Sequence, residues 1–287
     1  MRILERGEQE GYRYQWRVLR RSPLGQSDRH LASAAGSSLE FREHREYLPG
    51  DDLRYLDWSA TARSDRLLVK VFEQELHPYL ELILDGSRSM DVPGSEKGRA
   101  ALGLAALLAA AAESSGFAVR AWALCENWQE LGSTSVSPAE WQFPGFTGRI
   151  SGGQVFAQEM PRWRPRSVRV LISDLFWSED PLPIVGQLTW QAALAVLVQV
   201  VAQVDVAPTV RGQVRLVDVE TGQQRDVVVN DMALRRYQEA FGRHQEQWQR
   251  ACRQAGAILV QIVAEDFVRD WTPWPLLRAE ILQLGKA

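Results

Sequence analysis

The chain has 287 residues, 45% hydrophobic and 24% charged, with a net charge of −3. That is the composition of a globular protein with a sizeable core, and it excludes a strongly basic nucleic-acid binder. Residues 100–112, the longest apolar run, include Gly103 and are too short to cross a bilayer, so no membrane span is expected.

The opening MRILERGEQEGYRYQW lacks the apolar core of a secretory signal, which predicts a cytoplasmic protein. Residues 1–31 show no clean period and are expected to form an arm. Residues 38–75 are dense in charge and aromatics, and 66–72 are strand-like. Residues 1–77 therefore read as an N-terminal arm and small β-rich appendage, and 78–287 as the main domain.

Within that domain the apolar run 79–84 reads as a buried strand that stops at Asp85. Residues 97–114 are Ala- and Leu-rich and meet Ser115-Gly116, a helix with a glycine stop. Strands are expected over 117–124, 168–173, 193–201 and 257–263. Helices are expected over 182–190, over 231–255 with Asp231 as cap and Gly256 as stop, and over 275–284. Residues 132–153 are loop-like. Residues 214–219 and 227–229 flank Glu220-Thr221-Gly222 as an inserted hairpin near 214–229. Strands alternating with helices at this spacing predict an α/β fold with a doubly wound, mostly parallel sheet.

A buried strand ending at a carboxylate places that group at the carboxyl edge of the sheet, where open α/β folds bind ligands. Beyond Asp85 stand Ser87 and Ser89 at alternate positions, and the strand 168–173 ends at Asp174. Adjacent parallel strands would bring Asp85 and Asp174 to one crevice. Oxygen-only ligation by Asp85, Ser87, Ser89 and Asp174 favours Mg²⁺, Mn²⁺ or Ca²⁺. The alternative is a Ser-rich turn with Asp85 capping the next helix. Cys125 and Cys252, the dispersed His30, His44, His77 and His244, and the scattered tryptophans form no catalytic or metal pattern.

The Asp-x-Ser-x-Ser run and the second acidic strand end resemble the von Willebrand factor A fold. The resemblance implies a metal-ion-dependent adhesion site in which a Thr from a second loop joins Asp85, Ser87, Ser89 and Asp174. This chain has Gly152-Gly153-Gln154 at the Thr position, with Thr147 nearby. Gln154, Thr147 or a water is left to fill it.

Upstream, residues 40–63 carry Arg45, Tyr47, Gly50, Asp51, Asp52, Arg54, Asp57, Trp58, Ala62 and Arg63. Their spacing resembles the signature of the bacterial domain-of-unknown-function family 58, over roughly residues 36–263. The local reading is a charge-matched turn: Gly50 takes a positive φ, Asp51 and Asp52 pair with Arg45, Arg54 or Arg63, and Trp58 anchors the segment on the body. These residues either hold the appendage together or dock a partner. The resemblance implies a non-enzymatic module whose partner is a MoxR-type AAA+ ATPase or its client protein. Two rivals stand beside it: a Mg²⁺-dependent phosphatase or phosphotransferase with Asp85 as nucleophile, and a degenerate scaffold without metal.

Overall fold

The computed structural model describes residues 2–17, 39–49, 51–64, 66–74, 78–158 and 160–285. Gly50 and most of the expected arm, including His30, lie outside them. The chain separates into two compact units, Met1–Val18 with Pro78–Ala287, and Leu19–His77. The first residues, Met1–Val18, go with the main unit rather than with the appendage expected over 1–77.

They do so as structure the sequence did not signal. Helix α1 (Arg2–Gly11) packs along the Ala-rich helix of the main unit, and β1 (Tyr14–Trp16) pairs antiparallel with the last strand of the chain, Leu282–Leu284. The helix contact is made through small residues. A Cβ on Gly7 would stand 2.3 Å from the Gly103 carbonyl oxygen, and one on Gly11 2.5 Å from that of Leu107. Only glycine permits so close an approach of two backbones.

Among the described residues the smaller unit holds a two-stranded antiparallel sheet of β2 (Leu39–Glu46) and β3 (Leu68–Gln74), with a 3-10 turn at Leu53–Tyr55 and the short helix α2 (Trp58–Ser64) between them in the chain. This matches the β-rich character expected of it.

In the main unit β4 (Tyr79–Asp85) leads into α3 (Lys97–Ser114), β5 (Ala118–Leu124), β6 (Trp128–Ser133) and α4 (Gly152–Phe156). Then come β7 (Val168–Ser173), α5 (Pro181–Thr189), β8 (Leu194–Val201) and the short α6 (Gln203–Val206). The hairpin of β9 (Gly212–Val217) and β10 (Gln224–Val229) follows, and then the long α7 (Asp231–Ala255), β11 (Ile258–Val263), α8 (Ala264–Asp270), α9 (Trp274–Arg278) and β12 (Leu282–Leu284). The expected α/β class is observed: a six-stranded sheet in the order β11-β8-β7-β4-β5-β6, parallel except for the edge strand β6.

Period-two alternation distributes the side chains to both faces of this sheet. Leu80, Leu82 and Leu84 of β4 enter the core under α3, with Val170, Ile172, Val196 and Val198 of the neighbouring strands. Ile83, Leu171 and Leu197 enter the opposite core with Ile184 and Leu188 of α5 and Trp248 of α7. Burial on both faces explains why these strands read as mostly apolar runs, each interrupted by one buried polar residue, Glu81, Arg169 or Gln199.

Two expectations at helix ends are corrected. The cap of α7 is Asn230, whose side chain accepts from the Ala233 amide at 2.9 Å, rather than Asp231. Gly256 does stop the helix, with φ of 74°. The helix expected over 275–284 is only α9, and the chain then extends into β12 to meet β1. Among the described residues, no helix is long and apolar enough to cross a membrane.

Candidate functional site

The chain runs outward from β4 to β5 on one side and returns to β7 on the other side of β4, so the strand order reverses between β4 and β7. Ligands of open α/β sheets bind at such a switch point, beyond the carboxyl ends of the strands. Asp85 ends β4, and Asp174 follows the last residue of β7.

Asp85 is fully buried. One of its oxygens accepts from the Ser87 amide at 2.9 Å, and the other from the Ser173 hydroxyl at 2.5 Å and the Trp177 indole N–H at 3.2 Å. Burial, and secondly the negative charge of Asp174, push its carboxyl up to about 6, against the downward pull of the Ser173 and Ser87 bonds. The Ser87 and Ser89 hydroxyls lie 3.0 Å apart. Their loop is held by Gly148, which bonds the Gly86 carbonyl at 3.0 Å and accepts from the Arg88 amide at 3.2 Å. A Cβ on Gly148 would press at 3.2 Å on the Cys125 and Gly86 carbonyl oxygens and on the Ser87 α-carbon, which accounts for the glycine.

Asp174 is equally buried. Its Oδ1 accepts from the Phe176 amide at 3.1 Å, and its Oδ2 meets the Lys97 ammonium at 2.9 Å. Lys97 opens α3 and is itself buried, with Asp205 of α6 at 3.6 Å and the Phe176 ring beneath its Nζ at 5.2 Å. Burial alone would lower the lysine pKa, but the charges of Asp174 and Asp205 outweigh it and hold it raised.

Sequence reasoning named the two carboxylates and two hydroxyls but missed Ser173, Trp177, Lys97 and Asp205. One signal for Lys97 was present. The chain has only three lysines, at 70, 97 and 286, in an otherwise Arg-based sequence, and this one stands at a helix start shortly after Asp85.

Thr147 and Gln154 are both exposed, and the Gln154 amide donates to the Ser151 hydroxyl that caps α4. The Glu179 carboxylate lies against Gly153, where a Cβ would come 2.5 Å from its Oε2. Glu220, at the hairpin tip, is half-buried. Burial first, then the charges of Asp85 and Asp174, raise its pKa, so the hairpin tip lies within electrostatic reach of the crevice.

All donors in this set are oxygens, which fits a hard divalent cation and not zinc. Among the described residues no three His, Cys, Asp or Glu side chains come together closely enough to hold a metal ion. A cation here would therefore depend on the Ser87 and Ser89 hydroxyls and on water. Cys125 and Cys252 are buried thiols pushed up to about 11, chiefly by burial, and are poor nucleophiles.

The signature residues of the smaller unit form local contacts. Arg45 grips Asp51 through both carboxylate oxygens at 2.8 Å, and Asp51 also accepts from the Leu48 amide. Asp52 caps the 3-10 turn and pairs with Arg54 at 2.7 Å on the surface. Asp57 accepts from the Ala60 amide and contacts His44, which hold its carboxyl far below the usual range. The Tyr47 amide bonds the Leu67 carbonyl, and Arg63 bonds the Ser59 carbonyl. Trp58 is 69% exposed.

These contacts predict a split within the signature. Asp51→Ala leaves Arg45 and the Leu48 amide without their acceptor and is expected to cost about 2–3 kcal/mol. Asp52→Ala removes an exposed pair, worth little, and the cap of the 3-10 turn, and is expected to cost about 1 kcal/mol or less. Chemical denaturation of both variants measures the difference.

Curated relatives include uncharacterized proteins of Mycobacterium bovis and Mycobacterium tuberculosis, each 26% identical over 264 residues, covering 84% of this chain and 79% of theirs. Among solved structures, the conserved hypothetical protein BatB from Bacteroides thetaiotaomicron aligns over 70% of this chain and 98% of its own at 12% identity, with a TM-score of 0.36. An aerotolerance-related membrane protein from Bacteroides fragilis aligns similarly, at 13% identity and a TM-score of 0.35. The profile of the family described as "Protein of unknown function DUF58" matches residues 43–133, from the Arg45–Asp57 signature through Asp85, Ser87, Ser89 and Lys97 to β6.

Proposed function

We propose that the chain is a non-enzymatic, Mg²⁺-dependent protein-interaction module of von Willebrand factor A-like design. On this reading it serves a MoxR-type AAA+ ATPase, or that ATPase's client, in assembling or activating a protein complex in the cytoplasm. The observation that carries the cation reading is the buried carboxylate pair. Burial and then the charge of Asp174 raise the Asp85 carboxyl in a crevice that also holds the Lys97 ammonium, and a divalent cation relieves the strain on Asp85.

Bound Mg²⁺ would offer an open coordination position to an acidic side chain of the partner. The residues of the chain hold the donors in place. Ser173 and Trp177 orient Asp85, the Gly148 bonds fix the loop of Ser87 and Ser89, and Gln199 holds the Asp174 carbonyl at 2.9 Å. The ATPase partnership rests on the family resemblance alone.

Calorimetric titration with MgCl₂ tests the cation. Weak binding by the wild type that vanishes in Asp85→Ala is expected, and equal heats in both would sink the assignment. Capture of the ATPase that falls with EDTA and returns with Mg²⁺ is the matching result for the partner.

A second reading, a scaffold that binds no metal, is favoured by one contact. The Lys97 ammonium already neutralises Asp174. Absence of Mg²⁺ heats in the wild type would select it.

A further inference from the structure

Lys97 is as out of place energetically as the carboxylate it meets. Its side chain is 4% exposed and that of Asp174 is 0%. The ammonium stands between two carboxylates on different elements, Asp174 after β7 at 2.9 Å and Asp205 of α6 at 3.6 Å, over the face of Phe176. Asp205 is held in place independently of the lysine. Its Oδ2 accepts from the Ala202 amide at 2.8 Å, and its backbone carbonyl accepts from the Tyr237 hydroxyl of α7 at 2.7 Å.

We propose that Lys97 sets the affinity of the crevice for divalent cations: its ammonium occupies Asp174 when no ion is bound and passes to Asp205 when one is. The proposal rests on the cation reading above and adds to it the residue that governs occupancy. A divalent ion and an ammonium on one carboxylate repel each other strongly in a buried site. The Ser87 and Ser89 hydroxyls carry no charge to offset this. A lysine is a compact point charge on a flexible four-carbon stem, and Asp205 is already within 4 Å of it, so the exchange needs a small displacement of Nζ. Phe176 presents its ring to the ammonium throughout. Each binding event therefore includes loss of the Lys97–Asp174 contact, which keeps affinity low and makes the site responsive to changes in cation concentration.

The test is calorimetry with MgCl₂ and MnCl₂, together with thermal melting in EDTA and in MgCl₂, on the wild type, Lys97→Met, Asp205→Asn and Asp85→Ala. Lys97→Met removes the competing charge but keeps the apolar stem. It is expected to melt lower than wild type in EDTA, to recover in Mg²⁺, and to bind Mg²⁺ at least tenfold more tightly. Asp205→Asn removes the second acceptor and is expected to weaken binding severalfold. Should Lys97→Met fail to fold, Asp205→Asn carries the test alone. Wild-type binding that is lost in Asp85→Ala but unchanged in Lys97→Met, or in Asp205→Asn, overturns the role of Lys97 and leaves the cation reading standing. No binding by wild type or by any variant overturns both.

Discussion

Asp174→Ala is expected to destabilise the metal-free protein by about 3–5 kcal/mol, the cost of leaving a buried ammonium without its partner. The Lys97 side chain is 4% exposed, and Asp205 at 3.6 Å is a partial substitute. The Phe176 amide also loses its acceptor, Asp174 Oδ1. Urea denaturation measures the loss. The double variant Asp174→Ala/Lys97→Met discriminates the cause, because removing both charges should recover much of the stability if the unpaired ammonium is the dominant penalty. A double variant no more stable than the single one would show that Asp174 acts mainly through its backbone contacts.

The second large effect is a pH dependence carried by Asp85. In the folded metal-free protein its carboxyl is raised from the ordinary 3.8 to about 6. The folded state therefore binds the proton more tightly than the unfolded chain. The stabilisation from that proton is fully present below about pH 3.8 and is lost as pH rises through 6. Stability curves of wild type and Asp85→Ala, measured in EDTA between pH 4 and pH 8, isolate the contribution by difference. The wild type is expected to lose ground relative to the variant as pH rises through that window. A constant difference would show that the Ser87, Ser173 and Trp177 bonds hold the carboxylate ionised throughout.

Much of this architecture was legible in the chain. The strands β4, β7 and β8 are buried on both faces because helices cover both sides of the sheet, so each reads as a mostly apolar run broken by one buried polar residue, Glu81, Arg169 or Gln199. Helix α3 and its glycine stop follow from local preference, and the positions of Asp85 and Asp174 follow from where two strands end. These features are local, and a local pattern specifies them wherever the remainder of the chain lies.

The features that escaped are those whose cause is distant in sequence. Helix α1 is polar over much of its surface and reads as an arm. Its place is decided by Gly7 and Gly11 meeting the backbone of α3, about ninety-six residues away in each case. The pairing of β1 with β12 joins the two ends of the main unit, and a three-residue strand has no periodicity from which to be read. The same division runs through the site. Sequence by itself determined that Asp85 and Asp174 stand at the carboxyl edge of the sheet, with Ser87 and Ser89 following Asp85. Only the tertiary structure decided that Asp85 is sealed by Ser173 and Trp177, and that Lys97 reaches Asp174 across the crevice. Charge pairing between residues 77 positions apart leaves no spacing in the chain, and burial, which sets the energy of both groups, exists only once the loops have closed over them.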